Sequence, residues 1–122
     1  MYRPAKEVRI RKVQNAQGGD GEVTFYDWLL PDEAPGHGRL FSKLVIPPGA
    51  SIGYHEHQGE FEAFYVLEGE GMVSDNGTPV SLHPGDMHLC PDGSAHGTIN
   101  TSSDRDLVLL ALILNSSVKK ED

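Results

Sequence analysis

Short stretches of alternating polar and apolar residues, separated by glycine and proline, run along the whole chain. This alternation is typical of strands, and the three- to four-residue spacing of an amphipathic helix is almost absent. Asp75-Asn76-Gly77 predicts a tight hairpin, because Asn and Gly accept positive φ at both central turn positions. The pattern predicts nine or ten short strands, over residues 6–13, 22–30, 39–46, a segment around His55, 61–67, 68–74, 78–82, 87–90, 95–100 and 107–114. Many short strands with frequent turns indicate an all-β sandwich or barrel.

Length and charge limit the number of domains and the classes of partner. A chain of 122 residues has room for one domain with one core. Ten Lys and Arg against eighteen Asp and Glu give a net charge of −8, which argues against nucleic acid and against an anionic membrane surface. The longest apolar run, residues 107–114, is far shorter than the ~20 residues of a membrane-spanning helix. With no signal-peptide pattern and a single cysteine, Cys90, the sequence predicts a cytoplasmic protein.

Four residues carry the candidate chemistry: His55, His57, Glu62 and His96. Successive side chains on a strand alternate faces, so His55 and His57 are expected to point the same way, roughly 6.5 Å apart along the strand. Glu62 lies in an apolar stretch, where a charged side chain is costly unless it is paired or bound to an ion. Imidazole and carboxylate groups that converge can hold one divalent metal. The sequence predicts such a site, and the alternative is a metal-free cluster of polar side chains.

These four residues lie in two blocks of sequence. The first block is Gly49-x5-His55-x-His57-x4-Glu62-x6-Gly69. The second block is Gly85-x5-Pro91-x-Gly93-x2-His96-x3-Asn100. Together the blocks resemble the two signature motifs of the cupin superfamily at every defining position, over about the middle half of the chain. The resemblance implies an all-β, single-domain cupin, that is, a double-stranded β-helix or jelly-roll barrel.

On this resemblance, residues 22–115 form the barrel, residues 1–20 contain an N-terminal pairing strand, and residues 116–122 form a solvated tail. The short stretch between the motifs and Ile52-Gly53-Tyr54 resemble small microbial proteins of the oxalate decarboxylase and oxalate oxidase branch. Oxalate decarboxylases carry an Arg that binds the substrate carboxylate where this chain has Val45. Lys43, two residues earlier and on the same face of the strand, is the candidate replacement. The glutamate-bearing lid loop of those enzymes has no counterpart here.

The predicted centre has a net positive charge and open positions. Three neutral imidazoles and one carboxylate around a divalent ion leave a local charge near +1, and an octahedral ion would keep two positions open. Such a centre favours a small carboxylate or another oxygen-rich anion. Manganese is the first candidate metal, and iron, nickel, zinc and cobalt suit the same ligands. The candidate substrate-binding residues are Lys43, Tyr54, Phe64 and His88. Alternation predicts that the inward-facing positions include Phe41, Lys43, Val45, Phe64, Val66 and Met72.

Three functional interpretations are open. The first is a metal-dependent enzyme, of decarboxylase, oxidase, dioxygenase, isomerase or lyase type, acting on a small acid or sugar derivative. The second is a non-catalytic binding or sensing module that uses the same metal, and the third is a structural barrel without metal. An enzyme needs a proton donor or base near the open metal positions, whereas a binding module does not. No catalytic residue is assigned, and the candidates for that group are Lys43, Tyr54, Glu60 and His88.

The sequence also predicts a homodimer. Residues 6–13 alternate like a strand outside the minimal barrel, and residues 107–114 form an apolar strand with much surface to cover. The cupin resemblance implies pairing through N-terminal strands, which would cover a sheet edge.

Overall fold

A computed structural model describes residues 1–117 of the chain. Within this range there are three short 3-10 helices, at Ala5–Glu7, Ala16–Gly18 and Pro31–Glu33, and no α-helix. None of the helices in residues 1–117 is long and apolar enough to cross a membrane. The tail predicted over residues 116–122 lies mostly outside the described residues. The ten strands are β1 (Arg9–Gln14), β2 (Glu22–Asp27), β3 (Gly38–Ile46), β4 (Ser51–Glu56), β5 (Glu60–Glu68), β6 (Gly71–Asp75), β7 (Thr78–Leu82), β8 (Met87–Cys90), β9 (Ala95–Asn100) and β10 (Leu107–Asn115).

The strands form two antiparallel sheets. The larger sheet has six strands in the order β1-β2-β3-β10-β5-β8, and the smaller has four in the order β4-β9-β6-β7. One buried cluster joins them, with Leu44, Val66 and Leu109 from the larger sheet and Val73 and Leu82 from the smaller. This is the predicted jelly-roll barrel. Its core lies between the sheets, because each strand directs alternate side chains toward the other sheet.

The predicted hairpin lies between β6 and β7. Asn76 and Gly77 have φ of 50° and 91°, and Asp75 pairs directly with Thr78. Three strands differ by three residues at one end from their predicted bounds, and one of them, predicted over residues 68–74, starts at Gly71 because Glu68 ends β5. The strand predicted over residues 22–30 ends at Asp27, because the Trp28 and Leu29 N–H groups both donate to the Phe41 carbonyl and a 3-10 helix follows. The first strand starts at Arg9 rather than residue 6, because Ala5–Glu7 forms a 3-10 turn.

The facing of β3 is the reverse of the predicted one. Ser42, Leu44 and Ile46 are buried, so Phe41, Lys43 and Val45 lie on the other side of the strand. The cause is a polar contact: Ser42 Oγ donates to the buried carboxylate of Asp27 at 2.6 Å. The prediction that Phe41, Lys43 and Val45 face the interior is therefore wrong. On β6 the assignment of Met72 is also wrong, since its neighbours Gly71 and Val73 are buried, whereas on β5 the inward positions Phe64 and Val66 are confirmed.

The first strand is part of the larger sheet of its own chain. β1 pairs antiparallel with β2, with Arg9 opposite Asp27 and Arg11 opposite Phe25. Arg11 and Val13 on one face are partly buried, while Ile10 on the other face is 57% exposed. The sequence assigned this segment to a position outside the minimal barrel. It forms an edge strand that turns Arg11 and Val13 toward the interior.

Candidate metal centre

The four predicted ligands come from both sheets. His55 lies near the end of β4 and pairs with His96 on β9, after a register shift between Ile52 and His55. A bulge of this kind re-aims the side chains that follow it. His57 comes just after β4 and is held by backbone hydrogen bonds to Ser94 and Gly93. Glu62 belongs to β5 in the other sheet. His57, Glu62 and His96 are buried, and His55 is partly buried.

The ligand atoms are close enough together to surround one ion. The Nε2 atom of His57 lies 3.2 Å from Nε2 of His55 and 3.1 Å from Nε2 of His96. Oε1 of Glu62 lies 2.8 Å from His96 Nε2 and 3.3 Å from His57 Nε2. Donors at about 2.0 to 2.1 Å from one metal are separated by roughly 2.9 to 3.4 Å when they are adjacent. One donor atom from each residue lies within 4.8 Å of the other three, so the donor set fits a single divalent ion.

Each histidine is oriented through its second ring nitrogen. Nδ1 of His55 lies 2.7 Å from the Gly53 carbonyl, and Nδ1 of His57 lies 3.0 Å from Oε1 of Glu60. Nδ1 of His96 lies 3.1 Å from Nε2 of His88. A nitrogen that binds metal carries no proton, so with an ion held by the three Nε2 atoms the proton of each ring would lie on Nδ1, facing these partners.

An ion pair extends the contact of His57 to the surface. Arg39 donates two hydrogen bonds to Glu60, from Nε to Oε2 at 2.8 Å and from Nη2 to Oε1 at 2.9 Å. Arg39 therefore fixes the carboxylate that orients His57. Bidentate pairs of this type add geometric precision as well as energy. Glu60, which the sequence offered as a candidate proton donor or base, therefore contacts both Arg39 and His57.

The surroundings shift the pKa values of Glu62, His57 and His55 in different directions. Burial alone would raise the pKa of Glu62, but hydrogen bonds from His57 and His96 lower it to about 2. The contact with Glu62, opposed by burial and helped by Glu60, raises the pKa of His57. Burial lowers the pKa of His55. Glu62 is therefore ionised at neutral pH, and His55 favours the neutral form that a metal requires.

A cavity of about 190 Å³ adjoins three of these residues. This volume is below the range of drug-sized sites, roughly 300 to 1,000 Å³, and corresponds to about six water molecules. Its polar wall is formed by Arg11, Gln17, Arg39, His55, His57 and Glu62. Its apolar wall is formed by Val13, Ala16, Phe25, Leu40, Leu44, Ile52 and Ile113. The site can hold a small ligand with charged ends rather than an extended one.

The four candidate substrate contacts lie elsewhere, since none of them lines this cavity. Lys43 is on the outer side of β3, with Nζ 4.4 Å from the centre of the Tyr26 ring, so its expected place in the pocket is wrong. Tyr54 is 55% exposed. Phe64 and His88 are buried behind His96, with the rings of Phe64 and His88 4.9 Å apart. Both side chains lie against the candidate metal ligand His96, and neither residue lines the cavity.

Sequence reasoning missed the two cavity arginines. Arg39 lies at the start of the apolar run of β3 and Arg11 lies in the predicted N-terminal pairing strand, and neither was singled out as a candidate. The available signal was the alternation of β1, which places Arg9 and Arg11 on one face together with Val13. Gln17, with φ of 52°, also lines the cavity.

Comparison with known proteins gives one family match and three similar proteins or structures. The cupin domain family matches residues 42–113. The oxalate-binding protein of Thermotoga maritima is 38% identical over 110 residues, which are 90% of this chain and 90% of that protein. A crystal structure described as a predicted oxalate decarboxylase from Thermotoga maritima has a TM-score of 0.87 and 37% identity, over 94% of this chain and 99% of that one. An auxin-binding protein of Prunus persica, ABP19a, is 33% identical over 53% of this chain and 34% of its own length.

Proposed function

The chain belongs to the cupin family, and we propose that it binds a divalent transition metal and, through that metal, a small carboxylate. The observation that carries the proposal is the convergence of three imidazoles and one carboxylate, with the donor atoms within 4.8 Å of one another. His55, His57, Glu62 and His96 would hold the ion. When bound, the metal supplies a positive centre that attracts anionic oxygen ligands.

Charge and similarity both favour a carboxylate. A divalent ion with neutral imidazoles and ionised Glu62 has a local charge near +1, in a cavity of about 190 Å³. The similarity to an oxalate-binding protein of Thermotoga maritima, at 38% identity, supports the same class of ligand. Manganese is the metal that we propose first, with iron, nickel, zinc and cobalt as alternatives for a set of three imidazoles and one carboxylate.

The residues that line the cavity favour ligand binding over a reaction that requires proton transfer. Of the polar residues that line it, the two histidines and Glu62 belong to the metal site, and the other three are Arg11, Gln17 and Arg39. None of these three is a proton donor or base near neutral pH. Lys43 and Tyr54, two of the candidates for that role, lie outside the cavity. We therefore propose a binding or sensing protein first and a metal-dependent enzyme second, and analysis of products after incubation with oxalate would distinguish them.

Carboxylates should bind better than neutral ligands to the Mn²⁺-loaded protein. We expect oxalate and 2-oxo acids to bind with dissociation constants at least about ten-fold lower than those of neutral sugars, because only anions gain from the positive centre. Isothermal titration calorimetry measures both classes. Equal affinity for neutral sugars would contradict the carboxylate assignment.

Lys43→Met supplies a control for this titration. Lys43 lies over Tyr26 on the outer side of β3, so its removal is expected to leave carboxylate affinity within about two-fold. A ten-fold loss in this variant would show that Lys43 reaches the ligand, in agreement with its sequence-based assignment.

We also propose that the protein is a homodimer through the outer face of the larger sheet. Tyr65 on β5 pairs with Met87 on β8, and Ala63 pairs with Leu89. These positions face away from the core, and the exposed side chains there are Tyr65, Leu67, Met87 and Leu89. A contiguous apolar patch of this kind is typical of an association surface.

Light scattering at micromolar concentration should give twice the mass of the chain. Met87→Glu is expected to shift the mass to that of one chain, because it places a charge in the centre of the patch. Val80→Glu, at an exposed apolar position of the smaller sheet, is the matched control and should leave the dimer intact. A single-chain mass for the unmodified protein would refute the proposal.

A further inference from the structure

The cavity contains a second positive group besides the candidate metal site. Arg11 and the candidate ligands His55, His57 and Glu62 line the same cavity. Arg11 comes from β1 in the larger sheet, whereas His55 comes from β4 in the smaller one. A ligand in the cavity would therefore lie within reach of both sheets.

Arg11 is held in place by a buried carboxylate and an aromatic ring. Its Nη2 donates to Oδ1 of Asp27 at 3.0 Å, and its Nε also donates to Asp27. Its guanidinium carbon lies 4.6 Å from the centre of the Phe25 ring, a cation–π distance. None of the described residues accepts a hydrogen bond from its Nη1, and that nitrogen keeps two N–H groups for a ligand.

Arg9, Arg11 and Asp27 form a cluster whose positive and negative charges do not cancel. Asp27 accepts hydrogen bonds from Arg9, Arg11 and Ser42, so two guanidinium groups share one carboxylate. Burial alone would raise the pKa of Asp27, but these three hydrogen bonds lower it to about 2, which keeps the carboxylate ionised at neutral pH. The cluster has a net charge of +1. Arg39 differs, because its pair with Glu60 is neutral as a unit.

We propose that Arg11 selects ligands with two acidic groups, one at the His55–His57–Glu62–His96 site and a second carboxylate paired with Arg11. This inference rests on the proposed carboxylate binding and narrows it to small dicarboxylates. The apolar residues that line the same cavity, such as Val13 and Leu44, suit a short carbon chain. A planar guanidinium with free N–H groups is well matched to a carboxylate.

The test compares matched ligands on the Mn²⁺-loaded protein by isothermal titration calorimetry. L-Lactate and L-malate share a 2-hydroxy acid group and differ by one carboxylate, and 2-oxobutyrate and 2-oxoglutarate differ in the same way. The dicarboxylate of each pair is expected to bind about 10- to 100-fold more tightly. Arg11→Gln should reduce this preference to less than about three-fold and leave the affinity for lactate and 2-oxobutyrate within about three-fold of the unmodified protein.

Lys12→Gln is the matched control, because Lys12 is the exposed neighbour of Arg11 and carries the same charge. It should leave the preference intact. Equal loss of mono- and dicarboxylate affinity in Arg11→Gln, or an unchanged preference, would overturn the inference. So would equal affinities within each ligand pair for the unmodified protein, a result that needs no variant. If none of the four ligands bound, the carboxylate-binding proposal itself would fail.

Discussion

Replacing His57 by Ala is expected to abolish stoichiometric metal binding. Nε2 of His57 lies between the other donors, at 3.2 Å from His55 and 3.1 Å from His96, so its loss removes the central ligand of the set. Loss of a partner that only orients a ligand costs about 10- to 100-fold in metal affinity, and loss of the ligand itself should cost more than 100-fold. Metal analysis after equilibrium dialysis measures the change.

His83→Ala is the control for this experiment. His83 lies in a surface turn with its side chain 63% exposed, so the same substitution there should leave one equivalent of metal. Circular dichroism should show that both variants keep the strand content, because the apolar core on both sheets is unchanged. A full equivalent of metal in folded His57→Ala would contradict the assignment of the site.

Metal affinity should fall steeply with pH below about 6.5. Metal and protons compete for the imidazole nitrogens, and only the neutral ring binds the ion. The contact with Glu62 raises the pKa of His57 in the metal-free protein, so His57 holds its proton to a higher pH than a free histidine. Between pH 6.5 and 5, His57 alone should lower the affinity roughly 30-fold.

Competition with a chelator of known affinity, at pH 8, 7, 6 and 5, measures this dependence. His55 should contribute at lower pH than His57, since burial lowers its pKa. The curve should therefore steepen as the pH falls. Occupancy that stays constant down to pH 4 would be incompatible with a site of three histidines.

The sequence was sufficient to predict the strands whose signals are local. The Asn76-Gly77 turn defines the β6–β7 hairpin through its own backbone preferences. Residues 107–114 form one continuous apolar run because β10 lies between β3 and β5 at the centre of the larger sheet. The four candidate ligands could be found because motif spacing identifies them, and the fold brings them together from both sheets. The turn and the motif spacing are both read from the order of residues along the chain.

The facing of β1 and β3 could not be predicted in this way. Both sides of β3 carry large apolar residues, and the choice between Ser42 and Lys43 as the inward residue depends on Asp27, which lies on another strand. The same buried carboxylate turns Arg11 inward and leaves Ile10 exposed. A buried carboxylate whose partners lie on other strands leaves no hydrophobic periodicity in the sequence near the residues that it orients. Lys43 was chosen because the resemblance implies a carboxylate-binding cation near that position, and Arg11 was missed because its inward facing depends on Asp27.

The boundary of the cupin match divides the site into two parts of the chain. Residues 42–113 contain all four candidate ligands, whereas the two cavity arginines and Gln17 precede residue 42. Divergence among the first forty-one residues would therefore change part of the cavity wall while all four candidate ligands stay in place. Arg39 links the two parts, because it holds the Glu60 carboxylate that contacts His57.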